Sequence, residues 1–310
     1  MGRKHQQRDF ICGWGAGCIE TTVLYPQSKL IFRQQLRGLA AKEALLQLKN
    51  EGLVHLYRGL LPPLLMRSAS RALMFGMYEK WKNVLCCPES PPHSSFTLCH
   101  AEAAFLAGSC EAFLCPLERT QVILQCPEYH NRYRNTAHAF RSLAGMGVRE
   151  LYRACSVIIV RNGLSNSLFF TLREPLWRKI LRVDEYGFTS GRLSDRFVYK
   201  HLCHILLYLD IFFLRLPPSF INFGANFCSG ALLGASISTL FFPVNVVKNR
   251  MQSTVQTKFQ SGFKVLFIVI KERGGFSGLY RGVGLNFTRS LLAWGITNSA
   301  YEFLRERFFW

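Results

Sequence analysis

Acidic residues are scarce in this chain. The 19 Asp and Glu residues stand against 38 Lys and Arg, which gives a formal net charge of +19. Three explanations remain open at this point: the basic residues hold anionic lipid, line a cavity that attracts an anionic substrate, or bind nucleic acid. No recognition module for nucleic acid is present, so no nucleic-acid partner is expected.

Enzyme and metal motifs are also missing. The 11 cysteines contain no recurring Cys-x-x-Cys pair and no zinc spacing, and most are expected to be small buried apolar residues. No Gly-x-Gly-x-x-Gly follows a strand, and there is no Walker loop or nucleophile triad pattern. The basic N-terminus lacks the apolar core of a secretory signal. We therefore expect neither an enzyme nor a resident metal or cofactor.

The apolar content of the chain is high, but its mean hydropathy is low. Apolar residues make up 49% of the chain and Phe alone counts 26, yet the mean hydropathy is only +0.10. A simple membrane bundle would have a higher value. A bundle whose helices turn charged faces toward an aqueous cavity explains both numbers.

One pattern occurs three times along the chain. A proline ends an apolar stretch, a glutamine follows, and Tyr-Arg-Gly or a near copy comes later. The copies run from Pro26 to Gln35 with Tyr57-Arg58-Gly59, from Pro116 to Gln125 with Tyr152-Arg153-Ala154, and from Pro243 to Gln252 with Tyr280-Arg281-Gly282. An internal repeat of this kind determines the whole fold.

These copies resemble the signature of the mitochondrial carrier family, Pro-x-[Asp/Glu]-x-x-[Lys/Arg]-x-[Lys/Arg]-x-Gln, and the resemblance covers nearly the whole chain. It implies an all-α membrane protein with six tilted transmembrane helices in three pseudo-threefold repeats. Each repeat has a short matrix-side helix, and one central substrate site opens alternately to either side. The resemblance also implies a monomeric, multi-pass protein of the mitochondrial inner membrane that contacts lipid, with cardiolipin as the expected species.

The repeats predict the boundaries of the elements. Repeats are expected at 1–90, 91–181 and 220–310, with an inserted segment at 182–219. Each proline is expected to kink its helix because it removes a backbone donor. The predicted long helices are 9–36, 61–84, 100–125, 156–180, 221–252 and 284–308, and the predicted short helices are 41–50, 135–145 and 261–271. Glycines at 13, 15, 17, 108, 230 and 234 are expected to allow close helix contacts.

The segment 182–219 breaks the regular spacing. Pro26 and Pro116 are 90 residues apart, but Pro116 and Pro243 are 127 apart. The apolar part of the segment 182–219 is shorter than the roughly 20 residues that cross a bilayer. An interfacial amphipathic helix and a gene-model error both explain it, and we favour the error. His201 and His204 have no third ligand nearby, so no metal site is predicted.

The resemblance implies a matrix-side gate in which the acid after each kink proline pairs with a base of the next repeat. The acid positions hold Ser28, Glu118 and Asn245, and the base positions hold Ile31, Gln121 and Lys248. Only Glu118 with Lys248 forms an ion pair in this scheme, and Ser28 with Gln121 forms at best a hydrogen bond. The alternative is that these are ordinary polar groups at helix ends.

A second, cytoplasmic-side gate is implied on the even-numbered long helices. Tyr78-Glu79 with Lys82 and Tyr301-Glu302 with Arg305 fit the family pattern, whereas the second copy has Arg173 and Leu176. Cyclic pairing leaves Glu302 with Lys82 as the expected ion pair. Since Arg173 would face Arg305, we expect Glu79 to turn toward Arg173.

Arginine recurs at one position of the even-numbered long helices. Arg67, Arg161 and Arg289 precede the gate positions by 12, 12 and 13 residues. At about 1.5 Å per residue they lie roughly 18 Å inside the gate. Charge at that depth is costly and indicates function. Because a guanidinium binds phosphate in a bidentate fork, the trio predicts a site for a diphosphate.

An acid and a few polar residues accompany the arginines. Glu111 interrupts an apolar run five residues before Pro116. Two roles remain open for it: a structural partner of one arginine, or a contact to a cationic or hydroxyl-bearing part of the substrate. Lesser candidates are Asn162, Ser165, Asn166 and Trp294. Trp294 stacks on a substrate ring in one reading and packs against lipid or core in the other.

Within the family, the chain looks most like the mitochondrial NAD carriers. The likeness includes the stretches 161–166, 241–248 and 289–295, and that subgroup shares the missing acids at 28 and 245 and an arginine at 173. The subgroup tends to have lysine where Arg67 stands. The resemblance implies uptake of NAD+ into the matrix as cargo, with Glu111 facing the nicotinamide cation that reduced NAD lacks. The alternatives are a carrier of another anionic nucleotide or cofactor-type metabolite, and a carrier-like scaffold that does not transport.

Overall fold

The computed structural model describes residues 2–87, 98–185 and 230–309, and within these ranges the chain is helical with no β-strand. The first repeat contains α1 (Gly2–Val23), α2 (Tyr25–Arg37), α3 (Ala41–Glu51), α4 (Leu53–Leu56) and α5 (Leu61–Val84). The second contains α6 (Leu98–Cys110), α7 (Cys115–Gln125), α8 (Thr136–Gly145), α9 (Val148–Leu151) and α10 (Cys155–Glu185). The third contains α11 (Gly230–Leu240), α12 (Phe242–Gln252), α13 (Gly262–Glu272) and α14 (Val283–Phe309).

The helix predictions agree closely with these bounds. The helices expected at 61–84 and 284–308 are α5 and α14, and the short helices are α3, α8 and α13. Two ends differ: α1 begins at Gly2 rather than near residue 9, and α10 continues to Glu185 rather than ending near 180. Residues 221–229 and most of the inserted segment lie outside the described ranges.

The first, third and fifth of the six long helices are each broken two residues before their proline. Leu24, Leu114 and Phe241 have nearly the same backbone angles, with φ between −84° and −90° and ψ between 0° and 8°. The proline then occupies the first turn of the following helix, where a missing N–H costs nothing. In the third repeat α11 and α12 meet at a bend of 58°. In the second, a 3-10 turn at Glu111–Leu114 fills the break.

Small residues bring neighbouring helices together, although not all the predicted glycines are used. A Cβ at Gly108 would lie 2.6 Å from the carbonyl oxygen of Asn162, and one at Gly15 would lie 2.8 Å from Leu304 Cδ1. Gly230 and Gly234 both pack against the indole of Trp294. A Cβ added at Gly13 or Gly17 would meet no atom of another described helix within 4 Å. The contacts of α5 with α6, of α10 with α12 and of α1 with α14 join the three repeats into one bundle.

Only part of the bundle has the composition of a simple membrane span. Among the described residues, Leu98–Gln125 and Val148–Leu172 are long and apolar enough to cross a membrane, and the bent pair α11 and α12 is a third if counted as one span. The helices α1, α5 and α14 carry more charge, including Arg67 on α5 and Arg289 on α14. Composition alone therefore does not identify these three helices as membrane spans.

Candidate functional site

The three repeated arginines stand at the same place in their helices. Arg67, Arg161 and Arg289 each follow the first residue of α5, α10 and α14 by six positions, since those helices begin at Leu61, Cys155 and Val283. Each therefore lies about 9 Å along its helix from the start. The Arg161 and Arg289 side chains are partly exposed. The side chain of Arg67 lies outside the description.

Arg161 is linked to Glu111 through a single amide. Arg161 Nη1 donates to Asn162 Oδ1 at 2.7 Å, and Asn162 Nδ2 donates to Glu111 Oε2 at 3.0 Å. Asn162 is only 5% exposed, so both of its polar groups are used within the protein. The amide thus holds a cation and an anion side by side without a direct ion pair. It positions these two charges, and the structure does not offer it as a free hydrogen-bonding group for a substrate.

Local geometry explains why Glu111 sits there. It opens the 3-10 turn in the break between α6 and α7, where the helix of the second repeat changes direction. Gly108 lies one turn earlier and allows the backbone of α10 to approach closely at Asn162. The approach brings the Glu111 carboxylate within reach of the Asn162 amide. A larger residue at 108 would push α10 away.

The lesser candidates differ in their surroundings. Trp294 lies against Gly230 and Gly234 of α11. Its Nε1 would lie 3.1 Å from a Cβ added at Gly234. This packing corresponds to the core reading of that residue. Asn166 Nδ2 lies 2.7 Å from the Cβ position of Gly108, and Ser165 is partly buried on the same helix. A substrate contact for these side chains stays a prediction.

The end of the bundle that carries α3, α8 and α13, called the short-helix end below, contains the one ion pair expected there from the repeats. Lys248 Nζ lies 3.5 Å from Glu118 Oε2, with side-chain exposures of 15% and 18%. The Ser28 hydroxyl donates to the carbonyl of Leu24 in its own helix at 2.9 Å. The structure gives no inter-repeat contact that assigns a gating role to Gln121 or Asn245, whose roles stay predictions.

Other side chains close the short-helix end as well, and the three motif glutamines each bond to another repeat. Asn249 Nδ2 donates to Gln35 Oε1 at 2.6 Å, Gln125 Nε2 to the Tyr25 hydroxyl at 3.1 Å, and Gln252 Nε2 to Cys115 Sγ at 3.8 Å. Each of these bonds crosses between repeats. The short-helix end is therefore closed by neutral hydrogen bonds as well as by the ion pair.

The opposite end is described only in part. Lys82 Nζ lies 3.5 Å from Glu79 Oε2, one turn away on the same helix, and the Glu79 side chain is 64% exposed. Tyr78 of α5 stacks on Phe170 of α10 with ring centroids 4.5 Å apart. The side chains of Arg173, Glu302 and Arg305 lie outside the description. The pairing of Lys82 with Glu302, and of Glu79 with Arg173, stays a prediction.

Sequence reasoning missed two features. Glu20 on α1 is 1% exposed, and an acid within a membrane helix is itself a signal of function. Cys87 and Cys99 form a disulfide that joins the end of α5 to the start of α6. Nothing in the spacing of the cysteines indicated this bond. The expectation that most cysteines are buried is too broad, since among the described ones Cys18, Cys110 and Cys155 are partly exposed and Cys86 is exposed.

No metal centre emerges from the described ranges, which contain no group of three His, Cys, Asp or Glu side chains close enough to hold an ion. His201 and His204 lie outside those ranges. The charged groups around Asn162 instead suit an organic ion with both signs of charge. A guanidinium binds phosphate, and a carboxylate binds a cation or a hydroxyl.

Comparison with known proteins gives a consistent picture. The family model described as Mitochondrial carrier protein matches residues 2–88, 93–183 and 219–310. The mitochondrial nicotinamide adenine dinucleotide transporters SLC25A52 and SLC25A51 of Homo sapiens are each 38% identical to the chain over 300 residues, covering 96% of it and 89% of their own length. The mouse (Mus musculus) SLC25A51 transporter is 37% identical over 305 residues, covering 96% and 88%.

Proposed function

We propose that this chain, which belongs to the mitochondrial carrier family, transports NAD+ across the mitochondrial inner membrane into the matrix. It is a multi-pass protein of that membrane and a transporter rather than an enzyme. The proposal rests most on the Arg161–Asn162–Glu111 chain, which places a cation and an anion about one side chain apart. The named relatives, at 37–38% identity over nearly the full length, support the same cargo.

The chemistry of NAD+ fits the two charges. Its pyrophosphate carries two negative charges that a guanidinium binds in a bidentate fork, and its nicotinamide ring is a cation. Arg161, joined by Arg67 and Arg289 at the same helix position, would take the pyrophosphate. Glu111 would take the nicotinamide ring. In reduced NAD the ring is neutral, so the carboxylate would favour the oxidised form.

The closed short-helix end indicates the direction of access. The family places this end on the matrix side, and the Glu118–Lys248 pair and the glutamine bonds seal it in the structure. NAD+ would enter from the opposite end and bind at the arginines. Opening toward the matrix would then require these inter-repeat contacts to separate. Ion pairs and hydrogen bonds suit such a gate because their net stability is small.

Uptake into liposomes tests the cargo. Purified protein should take up labelled NAD+ in a saturable manner, and faster than labelled ATP or citrate. Arg161→Lys should lower NAD+ uptake about tenfold or more, because a lysine is a point charge and cannot form the fork. Arg141→Lys, which changes an exposed arginine on α8, is the matched control and should transport normally. Preferential uptake of another nucleotide would support the alternative carrier reading, and no uptake at all would support a scaffold.

The role of Glu111 has its own test. Glu111→Gln removes the carboxylate charge but keeps a group that hydrogen-bonds to Asn162. We expect the preference for NAD+ over reduced NAD to narrow in this variant. An unchanged preference would assign Glu111 a purely structural role beside Arg161.

Two further parts of the proposal concern the surroundings of the carrier. We place cardiolipin among its bound lipids and take the monomer as the working unit, as in the family. Native mass spectrometry from a mild detergent tests both at once. A monomer that retains cardiolipin is the expected species, and a stable dimer would contradict it.

A further inference from the structure

The second repeat contains a buried carboxylate that two arginines share. Arg119 Nη2 lies 2.7 Å from Glu150 Oε1, and Arg153 Nη1 lies 3.0 Å from the same oxygen and 3.2 Å from Oε2. The side chains of Arg119, Glu150 and Arg153 are 0%, 7% and 4% exposed. Two buried cations on one anion need further acceptors, since a buried charge without partners is costly.

Those acceptors come from the third repeat. Arg119 Nη2 donates to the carbonyl of Thr254 at 2.5 Å. Arg153 Nη2 donates to the carbonyl and hydroxyl oxygens of Thr257 at 2.8 Å and 2.7 Å, and to the carbonyl of Lys258 at 3.1 Å. We name this set the Glu150 junction: Arg119, Glu150 and Arg153 of the second repeat with the segment 254–258 of the third.

The other two interfaces between repeats have a weaker version of this contact. Arg58 donates to the carbonyl of Tyr133, and Arg281 Nη1 donates to the carbonyl of Gly38 at 3.0 Å. Each of these arginines comes from a Tyr-Arg-Gly copy and reaches a single carbonyl of the next repeat. Arg153 reaches several acceptors and shares Glu150 as well. Among the described contacts of these three arginines, the most numerous are therefore those between the second and third repeats.

The backbone at the junction is held in an unusual conformation. Ala154 has φ of +70° and Gln256 has φ of +57°, a region that residues with a Cβ rarely adopt. The matching position to Ala154 is Gly59 in the first repeat and Gly282 in the third. Such conformations persist only where the surrounding contacts fix them. Gln256 also donates its backbone N–H to Glu150 Oε1 at 3.3 Å, which is one such contact.

The junction lies directly beside the gate ion pair. Glu118, which faces Lys248, is the neighbour of Arg119 on α7, and Lys248 belongs to α12, which leads into the segment 254–258. Both contacts therefore span the same two repeats. We propose that the Glu150 junction is a second latch of the short-helix end, which breaks when the second and third repeats separate and which limits how often that end opens. This inference rests on alternating access as proposed above.

Thiol labelling from each side of the membrane tests the latch without reference to the cargo. Cys115 on α7 is fully buried, and its Sγ lies beside the Arg153 carbonyl and Gln252 Nε2, at 3.7 Å and 3.8 Å. A membrane-impermeant sulfonated maleimide should reach it only when the short-helix end opens. Inside-out inner-membrane vesicles present the matrix side, and mitoplasts present the other. Peptide mass spectrometry identifies the labelled cysteine, and Cys115→Ser confirms the assignment.

The variants are Arg153→Lys and Glu150→Gln. A lysine keeps the charge but has a single nitrogen, so it cannot reach Glu150 with one nitrogen and the 254–258 carbonyls with another as Arg153 does. Loss of charge-assisted bonds of this kind should raise Cys115 labelling in inside-out vesicles about tenfold or more. Labelling in mitoplasts should not rise. Arg141→Lys is the control for a changed arginine in the same repeat, and its labelling should equal that of the unaltered chain.

Either of two results would overturn the inference. An unchanged labelling rate in inside-out vesicles for both variants would show that the junction does not limit opening. An equal rise from both sides would show local unfolding instead of a side-specific latch. Increased labelling together with no NAD+ uptake in liposomes would support the latch and contradict NAD+ as the cargo. The two proposals can therefore fail separately.

Discussion

At the scale of single residues, the candidate site depends on how the charges of Arg161 and Glu111 are held apart. Asn162 uses its oxygen on Arg161 and its nitrogen on Glu111, and it is nearly inaccessible to solvent. A direct Arg–Glu pair would be closed to a ligand, because each charge would already be satisfied. In our proposal, the amide leaves both charges partly available to a ligand that carries the opposite signs.

Replacing this amide tests that view. In Asn162→Ala the two hydrogen bonds are lost, so Arg161 and Glu111 are free to pair directly or turn away. We expect NAD+ uptake into liposomes to fall about tenfold or more, in line with the loss of hydrogen bonds to charged groups. Leu164→Ala changes an exposed residue of the same helix and should leave uptake unchanged. Normal uptake by Asn162→Ala would remove the positioning role.

A second residue-scale prediction concerns Ala154. Its φ of +70° is disfavoured for any residue with a Cβ, whereas Gly59 and Gly282 occupy the matching positions without that cost. Ala154→Gly should relieve the strain, partly offset by the greater freedom of glycine in the unfolded chain, for a net gain of up to about 1 kcal/mol. For a chain of this length, the thermal unfolding midpoint in detergent should rise by about 1–2 °C.

The converse substitution is the control for that prediction. Gly282→Ala introduces a Cβ at φ of +95°, 2.7 Å from Gln34 Oε1, so the midpoint should fall. A higher unfolding midpoint for Gly282→Ala, or a lower one for Ala154→Gly, would contradict the assignment of backbone strain to Ala154.

At the scale of elements, a pair of imidazoles joins the first two repeats. His55 stacks on His130 with ring centroids 4.7 Å apart, beyond the last turn of α7. Burial, and then the nearby Lys29 ammonium, lower the pKa of His130 to about 4, with Glu51 opposing this and Arg58 and His55 adding to it. The ring is therefore neutral in the folded protein at physiological pH.

The pKa difference has a definite sign. An unfolded histidine titrates near pH 6.5, so between about pH 6.5 and 4 the unfolded chain binds a proton that the folded chain does not. Stability from this group is fully present above pH 6.5 and declines as the pH falls toward 4. His130→Gln should flatten the decline in unfolding midpoint measured over this window. An equally steep decline in the variant would assign it to other groups.

The disulfide between α5 and α6 is a second element-scale prediction. It joins residues 12 positions apart, Cys87 and Cys99, and links the first repeat to the second at the end opposite the closed gate. A closed loop of about 15 residues corresponds to roughly 3 kcal/mol of stabilisation. We expect peptide mapping to recover the Cys87 and Cys99 peptides linked until reductant is added, and Cys99→Ser to lower the unfolding midpoint. Unlinked peptides in the unreduced protein would contradict the bond.

At the scale of the whole molecule, local rules in the sequence predicted the elements well. Pro26, Pro116 and Pro243 marked the helix breaks because proline is confined to the first turn of a helix. The predicted starts at 61, 156 and 284 lie within one residue of the observed starts of α5, α10 and α14. The ion pair of Glu118 with Lys248 was expected because the resemblance to the carrier family implies that the acid of one repeat faces a base of the next. The helix breaks needed only the chain and its internal repeat, whereas the ion pair needed the family resemblance.

The contacts that break the symmetry could not be predicted in this way. Arg119 and Glu150 are 31 positions apart, and no copy of the Glu150 carboxylate stands at the matching place in the other repeats. Cys87 and Cys99 likewise have no counterparts. Asn162 was named as a substrate contact, but its partners depend on the close approach of α10 to Gly108, which is a matter of packing. The repeat pattern carries no information on such pairs.

The most direct test of the central claim is the NAD content of the matrix in living cells. Cells that lack their own mitochondrial NAD carrier would be complemented with this chain, with Arg161→Lys, or with Arg141→Lys. The NAD content of the matrix would then be normalised to citrate synthase activity. The account predicts that the unaltered chain and Arg141→Lys restore matrix NAD, while Arg161→Lys does not. Equal restoration by all three, or by none despite normal insertion in the inner membrane, would contradict it.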